Sequence, residues 1–228
     1  GCACIIDTMT RLCGEKDQLA VRVTGAFAAQ EEVGTRGATV TSQIVRPDLA
    51  IVFEGSPSDD FYFSAAQTQG HMRGGVQIRR MDKSYISNPV FIEYAEELAK
   101  KFGIPFQETV RRGGSTNAGK ISLTAKAVPV LVLGVPSRYV HTHYNFCAKS
   151  DLEAAADLAV EVIRGLDAEK IRDPNAAVSL RQVKTEQQKK AFGSIEMDSG
   201  RFFRKNEELN RKTQSRRFVG VMPLIFSR

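Results

Sequence analysis

Pro47-Asp48-Leu49-Ala50-Ile51-Val52-Phe53-Glu54-Gly55 reads as a short strand closed at both ends. Five apolar residues in succession, behind a Pro-Asp turn signal and ahead of Glu-Gly, are too few for a helix. They match a strand covered on both faces, as in a parallel sheet. Upstream, the apolar and β-branched run Leu19 to Ala29 reads as another buried strand and passes straight into Gln30-Glu31-Glu32. Downstream, Val76 to Met81 forms a third strand ending at Asp82, Ile104 to Val110 a short one, and Val128 to Val135 another apolar run.

Helical patterns alternate with these runs. Residues 2–13 place Ile5, Ile6, Met9 and Leu12 on one face, with Gly14 as a stop. Asn88 to Phe102 carries a complete set of end signals: Asn88 as N-cap, Pro89 at the first position and Gly103 as C-cap. Leu152 to Leu166 is amphipathic, with Ser150 or Asp151 expected as its cap. Strands alternating with helices predict an α/β fold, a three-layer sandwich with a mainly parallel, mixed sheet.

The chain has 228 residues, of which 42% are hydrophobic and 25% charged, an ordinary globular composition. Its longest apolar stretch is broken by Pro129 and Gly134, far short of the ~20 residues of a membrane helix. No secretory leader is legible in Gly1-Cys2-Ala3-Cys4. Cys2, Cys4, Cys13 and Cys147 are too few and too scattered for a disulfide framework, so reduced thiols and a cytoplasmic location are expected.

Charge divides the chain in two. Residues 171–228 hold 13 basic and 6 acidic groups, a net of +7, which leaves residues 1–170 at −1. Two parts are therefore expected: a body over 1–170 and a basic tail over 171–228 without an assigned role. The tail includes a polar helical segment, Glu186 to Phe192, a Lys/Arg-rich stretch from Arg201 to Arg217 with Phe202 and Phe203, and a closing apolar run, Phe218 to Phe226. A solvated, partly disordered tail is preferred to a nucleic-acid contact, and no membrane partner is expected.

Ligands of open α/β sheets bind outside the carboxyl ends of the strands. Three polar groups follow strands here: Glu31-Glu32 after Ala29, Glu54 after Phe53, and His141 a short loop after Val135. Carboxylates and imidazole on one rim suit a divalent cation, with one Glu of a pair as ligand and its neighbour as proton acceptor. Taken singly, each has a plainer reading as a loop charge or turn cap. The Gly-rich loop Arg111 to Gly119 lacks the spacing of a phosphate cradle and reads as a turn or a close backbone approach to a ligand. No Gly-x-Ser-x-Gly elbow is present.

Four segments occur in order: Phe27-Ala28-Ala29-Gln30-Glu31-Glu32-Val33-Gly34-Thr35-Arg36-Gly37-Ala38, then Pro47 to Gly55, then Gly113-Gly114-Ser115-Thr116-Asn117-Ala118-Gly119, then Val135-Pro136-Ser137-Arg138-Tyr139-Val140-His141-Thr142-His143. This set resembles the tetrahedral-type dinuclear metallo-aminopeptidases, which include glutamyl and deblocking aminopeptidases and members once labelled cellulases. The resemblance runs from Gly1 to about Leu166 and implies the carboxyl-terminal part of a zinc-peptidase-like catalytic domain. Family members carry a His ligand, a β-rich domain and a bridging Asp upstream of the matching region.

The resemblance implies two divalent metal ions, zinc or cobalt. It makes Glu31 the general base or acid, Glu32 and His141 ligands of one ion, and Glu54 a ligand of the other. Gly114, Thr116 and Asn117 would line the substrate pocket, Asn117 standing where many relatives have Asp. The implied activity is removal of N-terminal residues from peptides through a metal-activated water, by a homo-oligomer. Two alternatives stay open: a non-catalytic remnant with weak metal binding, and a related metal deacylase or carboxypeptidase.

Overall fold

The computed structural model describes residues 1–124, 127–167 and 170–171, and the backbone of 217–223. In chain order the elements are α1 (Cys2–Cys13), β1 (Arg22–Ala28), α2 (Arg36–Val45), β2 (Leu49–Pro57), β3 (Val76–Asp82), β4 (Tyr85–Ile86), α3 (Pro89–Phe102), β5 (Phe106–Val110), α4 (Ala118–Ile121), β6 (Val130–Arg138), β7 (Phe146–Cys147), α5 (Lys149–Gly165) and β8 (Arg217–Pro223). The strands form one sheet in the order β1-β8-β2-β6-β3-β4, with β5 beside β3 and β7 beside β6. The pairs β1/β8, β8/β2, β2/β6 and β3/β5 are parallel; β3 runs antiparallel to β6 and β4, and β7 to β6. The expected mixed, mainly parallel α/β sandwich is what forms.

Alternation along β2 and β6 explains the three layers. Ile51, Phe53, Leu131 and Leu133 pack with Ile5 and Leu12 of α1, Phe91 and Ile92 of α3, and Leu158 and Ile163 of α5. Ala50, Val52, Val130 and Val132 point the other way, against Ala38 of α2 and Ile121 of α4. A strand side chain changes face at every residue, so an unbroken apolar run supplies both cores at once. Phe53 and Ile51 are essentially inaccessible, each contributing about 1.5–3 kcal/mol by leaving water.

Helix ends follow local chemistry in α3. The Asn88 side chain accepts hydrogen bonds from the backbone N–H groups of Val90 and Phe91, and Gly103 closes the helix in the left-handed region. Asn88→Ala is expected to lower stability by about 1 kcal/mol, read as a lower urea midpoint at unchanged slope.

The fold departs from the sequence reading in three places. Residues 36–45 form α2 although no helix is legible there: Thr39, Val40, Thr41, Ser42 and Val45 are weak helix formers. Tertiary contact holds it, since Ala38 is fully buried and the Ser42 hydroxyl meets that of Thr124 at 2.8 Å. Asp151 is not a cap for α5, whose N-cap is Ala148 without a side-chain bond. Its buried carboxylate instead accepts from the backbone N–H groups of Arg73 and Gly75, fastening the loop before β3.

The third departure is β8. The basic tail expected over 171–228 places seven of its residues inside the sheet. Phe218-Val219-Gly220-Val221-Met222 is β-branched and apolar enough to serve as a central strand, which charge counting over the whole segment obscured. The helical segment read over 186–192 and the basic stretch from 201 to 216 lie outside the described residues. No described helix is long and apolar enough to cross a membrane.

Candidate functional site

Parallel strands β1, β2 and β6 end on the same rim, and the loops leaving them enclose an open cleft of about 880 Å³. Glu31 and Glu32 from the loop after β1, Glu54 within β2, and His141 from the loop after β6 all line it. The sheet thus gathers four of the residues singled out in sequence. Gly114 and Thr116 line the same cleft, together with Arg79, Ser84, Lys120 and Ser137, which sequence reasoning passed over.

The Glu31-Glu32 turn is built by backbone. The Glu31 carbonyl accepts from the N–H groups of Gly34 and Thr35, and Gly37 N–H donates to the Ala29 carbonyl. Gln30 and Thr35 sit at φ 57° and 53°, and across the cleft Tyr139 and His141 sit at 57° and 66°. Left-handed residues other than glycine cost energy and persist where surrounding structure holds them, commonly at functional rims.

Gly37 is required by space. A Cβ there would lie 2.3 Å from the Ala29 carbonyl oxygen and 2.4 Å from its nitrogen, both backbone atoms that cannot swing away. Gly37→Ala is expected to destabilise the chain by roughly 1–3 kcal/mol and to displace the Glu31-Glu32 turn. A thermal melt superimposable on wild type would remove this role.

Electrostatics differ along the cleft. At its mouth His141 Nε2 lies 3.3 Å from Glu32 Oε2, both side chains well exposed. Glu31 is half-buried, and burial with the neighbouring Glu32 carboxylate raises its carboxyl above the ordinary range against the pull of His141. Glu54 lies at the floor, 9% exposed, with Oε1 buried and without a hydrogen-bond partner. Loss of water pushes its pKa up to about 8, against the opposing charge of Arg79.

Arg79 explains how the floor is organised. Its guanidinium is buried and donates to Ser56 Oγ at 2.6 Å and, more loosely, to Asp82 at 3.5 Å. Asp82 accepts in turn from the hydroxyls of Thr116 at 2.9 Å and Ser84 at 2.8 Å. The Gly-rich loop is therefore tied to β3 through Thr116. An arginine inside the strand Val76-Gln77-Ile78-Arg79 was the sequence signal for this network, since burying that charge requires partners.

Asn117 behaves differently from its neighbours. Its side chain is fully buried, lies away from the cleft wall, and leaves both amide atoms unpartnered. Its carbonyl instead accepts from Lys120 and Ile121 at the start of α4.

The donor types suit a divalent cation: two carboxylates, an imidazole and an orphaned buried carboxyl oxygen. Their number at one point is smaller than such an ion needs. Among the described residues, no group of three or more His, Cys, Asp or Glu side chains is gathered to hold a metal.

Comparison with known proteins converges on one group. Residues 1–158 match the model of the M42 glutamyl aminopeptidase family. A glutamyl aminopeptidase of Lactococcus lactis subsp. cremoris is 29% identical over 173 residues, covering 76% of this chain and 47% of that protein. The crystal structure of a TET aminopeptidase from a marine sediment Thaumarchaeota archaeon superposes with a TM-score of 0.67 at 28% identity, covering 74% of this chain and 48% of the other. A Pyrococcus horikoshii TET peptidase, described as assembling into a tetrahedron or a large octahedral shell, superposes at 0.52 with 26% identity, covering 59% and 38%. The chain spans about half the length of the curated relatives it matches.

Proposed function

The chain belongs to the M42 glutamyl aminopeptidase family, and from that premise we propose that its cleft removes N-terminal residues from peptides by a metal-dependent hydrolysis. The observation that carries this reading is the convergence of Glu31, Glu32, Glu54 and His141 on one cleft at the carboxyl ends of parallel strands. Glu32 and His141 would hold one divalent ion, and Glu54, whose Oε1 lacks a partner, a second. Zinc or cobalt suits those donors. Bound there, the ions would supply an acidified water and polarise the scissile carbonyl.

Protein groups do the rest. Glu31, its proton affinity raised by burial, accepts the proton of the attacking water and delivers it to the leaving nitrogen. Gly114 and Thr116 line the wall against which the peptide lies. A homo-oligomer is proposed by analogy with the Pyrococcus horikoshii protein, and four free thiols support a cytoplasmic setting.

The test is elemental analysis of the purified chain after exhaustive dialysis against trace zinc, alongside Glu54→Gln and His141→Ala. On this reading two ions per chain are retained, the remaining donors coming from outside the described residues or from a partner chain, and one is lost in each variant. Absence of retained metal would leave the second reading, a scaffold without catalysis, which the lack of a three-donor cluster among the described residues favours.

A further inference from the structure

The loop between β2 and β3 presents three aromatic residues in succession to solvent: Phe61, Tyr62 and Phe63 are 66%, 69% and 55% exposed. The base of this loop is fastened on both sides. Asp59 accepts hydrogen bonds from the backbone N–H groups of Gln69 and Gly70 and from Arg111, and Asp60 accepts from the Met72 N–H and from Arg138. Charge-assisted bonds of this kind fix a backbone in one shape, so the rings face water in a loop that is not free to fold them inward.

The exposed rings continue onto the loop after β6. Arg138 places its guanidinium 5.6 Å from the centre of the Phe61 ring, and Phe61 and Tyr62 meet edge to face at 5.5 Å. Arg138 stands directly opposite Phe146 of β7, which puts both side chains on one face of the pair. Tyr139 and Phe146, also exposed, meet edge to face at 5.7 Å. The result is one band of rings bridged by a guanidinium, and a contiguous apolar surface with polar groups at its rim marks a contact site.

This band runs into the cleft. Val140 and His141, which follow Tyr139, line the cleft, as do Asn145 and Cys147 on either side of Phe146 and Pro57 at the start of the aromatic loop. Two chain steps separate Tyr139 from His141, at most about 7 Å. An extended peptide advances about 3.3 Å per residue. A peptide whose first residue lies in the cleft therefore carries its third to fifth residues over the rings.

We propose that the band binds the downstream part of the peptide and selects chains with apolar or aromatic side chains at their third to fifth residues. The inference rests on the proposed hydrolysis only for the direction in which the peptide lies. Continuity with the cleft argues for a peptide, since neither a second copy nor a lipid surface requires a band that ends at the mouth where Glu32 meets His141. Contacts this far from the bond being cut are made equally before and during the reaction, so they act on KM and leave kcat alone.

The test measures binding apart from turnover. With the full chain in chelator, an octapeptide with Phe at its third, fourth and fifth residues and a fluorescent label at its end is expected to bind at least tenfold more tightly than the same peptide with Ser there, read as anisotropy. Phe61→Ser combined with Phe146→Ser should remove that difference at an unchanged thermal melt. If the double variant fails to fold, Tyr62→Ser alone should narrow the difference at least threefold. Equal binding of the two octapeptides to wild type overturns the inference, and so does a folded double variant that still discriminates as wild type does. A smaller species by light scattering in the double variant would assign the rings to an interface between copies, and retention of wild type alone on phosphatidylcholine vesicles would assign them to a lipid surface; either overturns it. In added zinc the Phe octapeptide should show the lower KM at equal kcat. A binding difference that persists without turnover of either peptide would count against the hydrolysis and support the band as a peptide site.

Discussion

Glu54→Gln is expected to make the metal-free protein more stable at pH 9 by several kcal/mol, and to leave it nearly unchanged at pH 4. The buried Glu54 carboxyl titrates at about 8 in the folded chain, against an ordinary value of 4.5. The folded state thus holds this proton more tightly than the unfolded one. Stability from Glu54 is fully present below the unfolded value and is lost as pH rises from about 4.5 through 8. At 1.36 kcal/mol per unit the separation corresponds to a loss of up to about 5 kcal/mol by pH 9. Gln keeps the shape and neutrality of the protonated acid and removes the titration.

For a chain of this size such a difference amounts to a melting shift on the order of 10 °C. Melts from pH 5 to 9 in chelator check it, with the two proteins converging toward acid. Parallel curves across the range would show that Glu54 is not titrating from a buried position. Zinc should reverse the ranking at high pH: a cation beside an ionised carboxylate stabilises wild type and finds less to bind in the variant.

Glu31→Gln is the second large effect. On the proposed reading it lowers the rate of N-terminal residue release by about 10²–10⁴-fold while metal content stays at the wild-type level. Gln preserves volume but accepts no proton, so substrate binding should survive and turnover should not. Burial and the Glu32 carboxylate raise Glu31, which brings its proton affinity closer to that needed for exchange near neutrality. Hydrolysis of a dipeptide in added zinc or cobalt, with elemental analysis on the same samples, separates the two quantities. Unchanged turnover would take Glu31 out of the reaction, and loss of metal would make it a ligand instead.

Much of the candidate site was legible because strand ends mark it. Glu31, Glu32, Glu54 and His141 each follow an apolar run, and one cleft receives all four. Their depths were not legible. Glu32 and His141 meet at the mouth while Glu54 lies buried on the floor, a difference set by how far β2 extends beneath the loops of β1 and β6. Arg79 was missed for a related reason: only the packed sheet shows that its strand position faces the cleft and not solvent.

Local chemistry in the sequence determined the elements whose signals are local. Asn88 and Gly103 bounded α3, continuous apolar runs specified the central strands β2 and β6, and the four ordered motifs indicated the family. Tertiary structure alone decided that weakly helical residues 36–45 form α2, that Asp151 fastens the loop before β3, and that residues 217–223 lie between β1 and β2. In each of these cases the deciding partner is distant in sequence. Hydrophobic periodicity and capping report what a segment can become, whereas the pairing that satisfies its backbone and buries its side chains depends on what the rest of the chain brings beside it.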